Sequence, residues 1–398
     1  MKWHPGLVLV VLSLFMLVAQ SSAGVLKVLT NHLGYDTSGP KHAVILGKAR
    51  DSVSACVLKD EATDQVVLAV APKATGPVQR WRDWYFWTLD FDSFATEGKY
   101  YLECTTNAAS IRSFPFLVQS DLLERSTVSD VIYYFKDERS SSEMDKADSH
   151  LRFEGTKGGT VDAHGGWWDA TGDYGKHFSH LSFSTYFNPQ QIPLVVYSLL
   201  KSYEQANRRG LQGFARYKPH LLDEAMFGAD YLVRMKVPEG SFYRSVSTGS
   251  VKQVPEERKI AGEMKRFGIE SAPDQGTAGM VETANNDREY EVSYRSGGGI
   301  AIAALAMASA YPASGQFRSS DYLKAAEDVF DYLEKNNLKL TNDGKENIVD
   351  DYCALAAATE LYRTSRSEKY KQAAGPPRQV PDGSPDQRRR LPELLASG

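Results

Sequence analysis

A chain of 398 residues, 42% of them hydrophobic and 24% charged, is long enough for more than one domain with a sizeable core, which excludes wholesale disorder. Its 46 basic and 50 acidic side chains leave a formal net charge of -4, which gives no electrostatic footprint for nucleic acid or an anionic membrane surface. Neutral or weakly charged partners are expected.

Lys2 precedes an apolar run from Leu7 to Ala19, and small residues follow as far as Ala23. That layout predicts a cleaved secretory signal over residues 1–23. Read as a membrane anchor, the run is short against the roughly 20 residues a spanning helix needs. No later stretch is apolar enough to span a bilayer, so an exported protein without membrane insertion is expected. Export leaves two readings of the three cysteines: Cys56 joins Cys104 and Cys353 stays unpaired, or all are buried thiols. No pair has the close spacing of a zinc site.

Residues 24–118 read as short strands. "AVILG", "SVSACVL", "QVVLAVA", "WYFWTLDF", "GKYYLEC" and "SFPFLV" are β-branched or aromatic runs bounded by turn residues, as in an antiparallel sandwich. Trp81, Trp84 and Trp87 recur every third residue and cannot all share one strand face, which favours core and interface packing over a sugar-binding platform.

From Leu122 the period turns helical, within a second domain placed at residues 119–372. Leu222, Ala225, Met226, Ala229, Leu232 and Val233 form one apolar stripe, predicting a helix packed on one side only. The segment 297–311 is apolar all round, as in a helix buried by neighbours on every side. Further helices are expected at 122–136, 190–207, 320–336 (opened by Ser320 as N-cap) and 346–365, with no parallel-strand pattern between them. Residues 237–288 lack helical periodicity and are rich in Gly, Ser, Glu, Asp and Asn; a run of that kind can build one wall of a cleft. The tail 373–398, with Pro and Arg clusters and no apolar period, is expected to be disordered or an aberrant ending.

The stretch "GGWWDATGDYGKH", residues 165–177, concentrates the chemistry. Asp169 and Asp173 would repel each other as an i, i+4 pair on a helix, and Gly172 with its flanking glycines argues for a loop on which both carboxylates converge. Either aspartate could instead cap the following helix. The spacing does not match the alternating ligands of an EF-hand. Glycoside hydrolysis would use the pair: one carboxylate deprotonates a water while a second carboxyl, across the scissile bond, protonates the leaving oxygen. Two aspartates on one loop fit the same side of that bond, so the acid must come from elsewhere. Trp167 and Trp168 offer flat faces suited to a pyranose ring, or a buried pair with no ligand.

The stretch from Gly165 to Leu200 resembles the nucleophilic-water motif of glycoside hydrolase family 9, in a form with one additional residue between the aspartates. "YRSGGGIAIAALAMAS" and "NIVDDYCALAAATELY" are similar to helices of that family's barrel, and "NHLGYDTSGPKHAVI" to its N-terminal immunoglobulin-like domain. The resemblance implies a β-sandwich followed by an all-α (α/α)6 toroid, incomplete here. It implies inverting hydrolysis of β-1,4-glucans such as cellulose, or release of single glucose or glucosamine units. Asp173 would be the general base and Asp169 would orient its water, with Trp167, Trp168 and Tyr174 lining sugar subsites. No redox cofactor is implied; structural calcium is, without assignable ligands. No segment matches the surroundings of the family's acid glutamate, and nothing gives that role to Glu282, Glu289 or Glu291. The chain is therefore expected to be impaired. A carbohydrate-binding protein without turnover and an extracellular interaction protein are the alternatives.

Overall fold

The computed structural model describes residues 26–179, 191–248, 253–264, 288–312, 315–341 and 344–375; residues 1–23, expected as a signal, and nearly all of the tail lie outside them. The chain divides into two compact units after Val128.

The first unit contains β1 (Lys27–Leu29), β2 (Gly34–Asp36), β3 (His42–Gly47), β4 (Val53–Asp60), β5 (Val66–Val70), β6 (Lys73–Val78), β7 (Trp81–Asp90), β8 (Gly98–Thr106), β9 (Ser110–Arg112) and β10 (Phe116–Gln119). One sheet runs β1-β3-β7-β6 and the other β2-β10-β8-β4-β5, with β9 on β8. Ile45 and Leu89 from one sheet meet Leu58, Leu102 and Val118 from the other in a shared core. Burial on one face only explains the alternation in β3, where Ala43, Ile45 and Gly47 point inward. The sandwich departs from the expected antiparallel order at one place, where β10 runs parallel to β2. Cys56 lies directly opposite Cys104 in the β4–β8 ladder and the two form a disulfide; Cys353 is buried and outside any disulfide. Of the three tryptophans only Trp87 is in the core: Lys48 covers the ring of Trp84 at 3.7 Å, and Trp81 is 62% exposed. Trp81 lies outside the core, at the turn end of the β6–β7 ladder opposite Val78.

The second unit contains α1 (Leu122–Asp137, which begins before the division), α2 (Ser142–Asp148), α3 (Ile192–Arg208), α4 (Lys218–Arg234), α5 (Gly299–Ala308), α6 (Ser319–Leu340), α7 (Ile348–Ser365) and α8 (Glu368–Ala373); the six expected helices form, and the short α2 and α8 are not among them. Helix α5 packs against α3, α4, α6 and α7, which accounts for its apolar circumference. Two expectations fail. The cap of α6 is Arg318, whose N–H donates to Asp321 at 3.0 Å, and Ser320 lies inside the helix. Helix α4 is not one-sided: Leu222 and Val233 of the stripe are half-buried, while Leu221, Glu224, Gly228 and Tyr231 are fully buried. A polar residue can occupy that second buried face because Glu224 has its charge compensated there.

Between the helices lies a small sheet that the sequence does not reveal. Strands β11 (Leu151–Phe153), β12 (Thr160–Val161), β13 (Lys176–His177), β14 (Ser245–Ser247) and β15 (Lys259–Ala261) follow the order β12-β11-β15-β14-β13, with β11 and β15 parallel. Strands of two or three residues are too short for any period to register. Two of them, β14 and β15, lie in the stretch 237–288 that lacks helical periodicity and support β13, the strand leaving the aspartate motif. Glu263–Met264 pairs with Arg288–Glu289 as a further ribbon; residues 249–252 and 265–287, including Glu282, lie outside the described residues.

Candidate active site

The aspartate motif folds as a hairpin. The N–H of Asp169 donates to the carbonyl of Gly175 at 2.9 Å, and that of Asp173 to the carbonyl of Ala170 at 2.8 Å, closing a turn over 170–173. Gly172 takes φ +87° at the third position of this turn, a conformation that a side chain would strain. The next described helix opens at Ile192 with Gln191 at its N-cap position, so neither aspartate caps it.

Segment 138–140 runs beside 166–168 and anchors the base of the hairpin: Trp168 N–H donates to Glu138 O at 2.9 Å and Ser140 N–H to Gly166 O at 2.8 Å. The Thr171 hydroxyl donates to the Glu138 carboxylate at 2.5 Å. Below it, Lys176 of β13 is fully buried, with Nζ 2.6 Å from Asp148 and donating to the carbonyls of Ala163 and Gly165 at 2.6 and 2.7 Å. Arg258 grips both oxygens of the same Asp148, at 2.5 and 2.7 Å. One carboxylate thus faces two cations, and burial holds the Lys176 ammonium at about 8, below the ordinary lysine value.

The two tryptophans part company. Trp167 is 3% exposed, set between Phe135 and Phe227, and its indole N–H donates to Glu224 at 2.7 Å. Arg139 completes the pair, donating to Glu224 from Nε at 3.0 Å and Nη2 at 2.8 Å. Gly228 makes room for the indole; a Cβ there would stand 2.3 Å from its ring. Trp168 is half-buried, edge-on to Tyr174 with ring centroids 4.7 Å apart. Its Nε1 is buried with no hydrogen-bond partner among the described residues.

Trp167, Trp168 and Asp169 line a cavity of about 360 Å³ with Val131, Tyr134 and Phe135 of α1 and Ile192, Val195 and Leu199 of α3. Glu138, His177 and Gln191 complete its polar side, and the Gln191 amide donates to Asp169. Asp173 is exposed at the hairpin tip, its Oδ1 accepting the Gly175 N–H at 3.0 Å. Neither Asp173 nor Tyr174 lines the cavity. Sequence reasoning missed Glu138, Gln191, Gln253 and Arg258; only His177 lay inside the motif. Glu291 is 2.7 Å from the Ser241 N–H and its carboxyl is raised by burial, yet it too is absent from the cavity lining. Among the described residues no group of three or more His, Cys, Asp or Glu side chains could hold a metal, and no helix is long and apolar enough to cross a membrane.

A model of glycosyl hydrolase family 9 matches residues 125–387, and one of the cellulase N-terminal ig-like domain matches residues 25–108. The chain belongs to glycosyl hydrolase family 9. It is 25% identical over 372 residues to the xyloglucan-specific endo-beta-1,4-glucanase BoGH9A of Bacteroides ovatus, covering 86% of this chain and 58% of that protein. It is 26% identical over 255 residues to Endoglucanase C of Cellulomonas fimi, covering 54% of this chain and 21% of that protein. The fold is similar to that of a metagenome-derived family 9 endoglucanase (TM-score 0.57, 20% identity, 87% of this chain and 63% of that one). A Bacteroides ovatus family 9 structure gives the same TM-score of 0.57, with 23% identity, 88% of this chain and 63% of that one. The chain therefore spans less than two thirds of the length of these relatives.

Proposed function

We propose that this family 9 protein hydrolyses β-1,4-linked glucans, cellulose or a related polysaccharide, by an inverting mechanism in which the 169–175 hairpin activates the water, at a rate impaired for want of a matched acid glutamate. The observation carrying this reading is a hairpin fixed at its base that presents Asp169 at an aromatic-walled cavity and Asp173 to solvent. Asp173 takes the proton and Asp169, held by Gln191, orients the same water. Trp168 and Tyr174 offer ring surface to the sugar, and Trp167 backs them. Inversion requires a second carboxyl about 6.5–9.5 Å from the base, and two aspartates sharing one water leave that role to another part of the fold.

The relatives' names, an endo-β-1,4-glucanase and an endoglucanase, favour a β-1,4-glucan and internal cleavage over chain-end release or binding without turnover. We place the helical unit within an (α/α)6 toroid; the buried α5 with α6 and α7 packed on it is consistent with that arrangement. Residues 24–118 form the sandwich domain of this scheme and 119–372 the catalytic one. The disulfide supports an oxidising compartment, in keeping with export directed by residues 1–23. Release of reducing ends from soluble β-1,4-glucans is the test. Asp173→Asn should slow it by about 10²-fold or more, the lower range for loss of an acid or base. Release retained in the variant, or cello-oligosaccharide binding without turnover in the wild type, overturns the proposal.

A further inference from the structure

We propose that Gln253 is the positioning residue that sets Asp173 for water activation, an inference that rests on Asp173 being the base. The Gln253 side chain reaches the hairpin on both sides of that aspartate. Its Oε1 accepts the N–H of Tyr174 at 2.8 Å, and its Nε2 donates to the carbonyl of Gly172 at 2.9 Å. These are the chain atoms immediately after and immediately before Asp173. A primary amide makes both bonds because it carries an acceptor and a donor side by side, as a neighbouring strand's backbone would.

The local fold is arranged around this contact. Gln253 stands at φ +50°, in the left-handed region that non-glycine residues seldom occupy. Five residues on, Arg258 donates to the carbonyl of Tyr174 at 2.8 Å while gripping Asp148. Strand β15 then starts at Lys259 and pairs with β14, which pairs with β13 at the foot of the hairpin. One sheet therefore delivers both the hairpin and the segment that clasps it.

The clasp has a chemical consequence. The N–H groups of residues 173, 174 and 175 and the carbonyl of Gly172 are all tied. The tip is thereby held through its backbone, and the Asp173 carboxylate remains at an exposed position beside it. A base fixed from behind can meet a water at one geometry without reorganising during the reaction.

Amide hydrogen exchange on the full chain, reported as protection relative to the intrinsic rate, tests this directly. Gln253→Leu keeps the side chain's bulk and removes both bonds. Protection of the Tyr174 amide should fall at least tenfold, while the Phe178 amide, bonded to Arg244 at 3.0 Å, and the melting temperature stay unchanged. Gln253→Glu gives the sharper readout. Its protonated carboxyl has a donor and an acceptor, and its carboxylate only acceptors. The carboxylate still accepts the Tyr174 N–H, so Tyr174 protection should persist, while the donor to the Gly172 carbonyl is lost and kcat relative to wild type should fall as the carboxyl ionises above about 4.3. Gln253→Leu should show no such step. On the same substrates kcat of Gln253→Leu should fall about tenfold with KM little changed, as for a group acting in the transition state. Unchanged Tyr174 protection in Gln253→Leu, or no pH step in Gln253→Glu, overturns the clasp. Undiminished hydrolysis by Asp173→Asn would instead remove the base assignment while Tyr174 protection still reported the clasp, so the two failures are distinguishable.

Discussion

Replacing Glu224 with glutamine should loosen the floor of the cavity from a position on α4 that no sugar would touch. The Glu224 side chain is fully buried, and its oxygens accept three bonds, from the Trp167 indole at 2.7 Å and from Arg139 at 3.0 and 2.8 Å. Glutamine has the same shape, so no cavity opens. It keeps one acceptor for the indole but turns an amide N–H₂ towards the guanidinium. Removing one partner of a fully buried ion pair costs about 3–5 kcal/mol. Arg139 is only partly buried and still donates to Asp223 at 3.1 Å, so the loss should be smaller. A single bond to a charged group is worth about 1.5–3 kcal/mol, which puts the expected destabilisation near 2–3 kcal/mol. For a domain of this size each kcal/mol shifts the midpoint by about 2–4 °C, giving a drop of roughly 5–10 °C. Thermal unfolding followed by circular dichroism measures the shift, and tryptophan fluorescence follows Trp167 through the same transition. A shift under about 2 °C with unchanged fluorescence would refute the argument that Glu224 holds the indole.

Lys176 carries a pH prediction. Its ammonium titrates at about 8 in the folded protein, whereas an unfolded lysine keeps its proton to about 10.4. Between those values the unfolded chain binds the extra proton, so this group's contribution to stability rises with pH. The midpoint of the wild type relative to Lys176→Met should therefore rise from pH 7.5 to 9.5; a constant or falling difference refutes the assignment. The Cys56–Cys104 bridge closes a sequence separation of 48, worth about 4 kcal/mol by loop entropy. The Cys56→Ala/Cys104→Ala double variant should unfold its sandwich at a much lower denaturant concentration, and a loss below about 1 kcal/mol would point to an unfolded state that is already compact.

The sequence alone was sufficient for elements whose pattern repeats over many residues. The buried strands of the sandwich, the amphipathic α3 and α6 and the all-apolar α5 follow from periods read within one segment, because each buries a face along its whole length. The motif also revealed its turn, since Gly172 is what a tight reversal between two aspartates needs. Tertiary structure decided the rest. Adjacent Trp167 and Trp168 read alike, yet one is enclosed by Phe135, Phe227 and Glu224 and the other is half-buried, edge-on to Tyr174. The cysteines could be read as bridged or free until the β4–β8 register set them opposite one another. Gln253 and Arg258, about eighty residues from the hairpin they hold, flank a single short turn ahead of β15, a segment too short to carry a period. A local pattern records which face of an element is apolar; which polar group will meet which is set only when distant segments close around a common buried charge, as they do at Asp148 and Glu224.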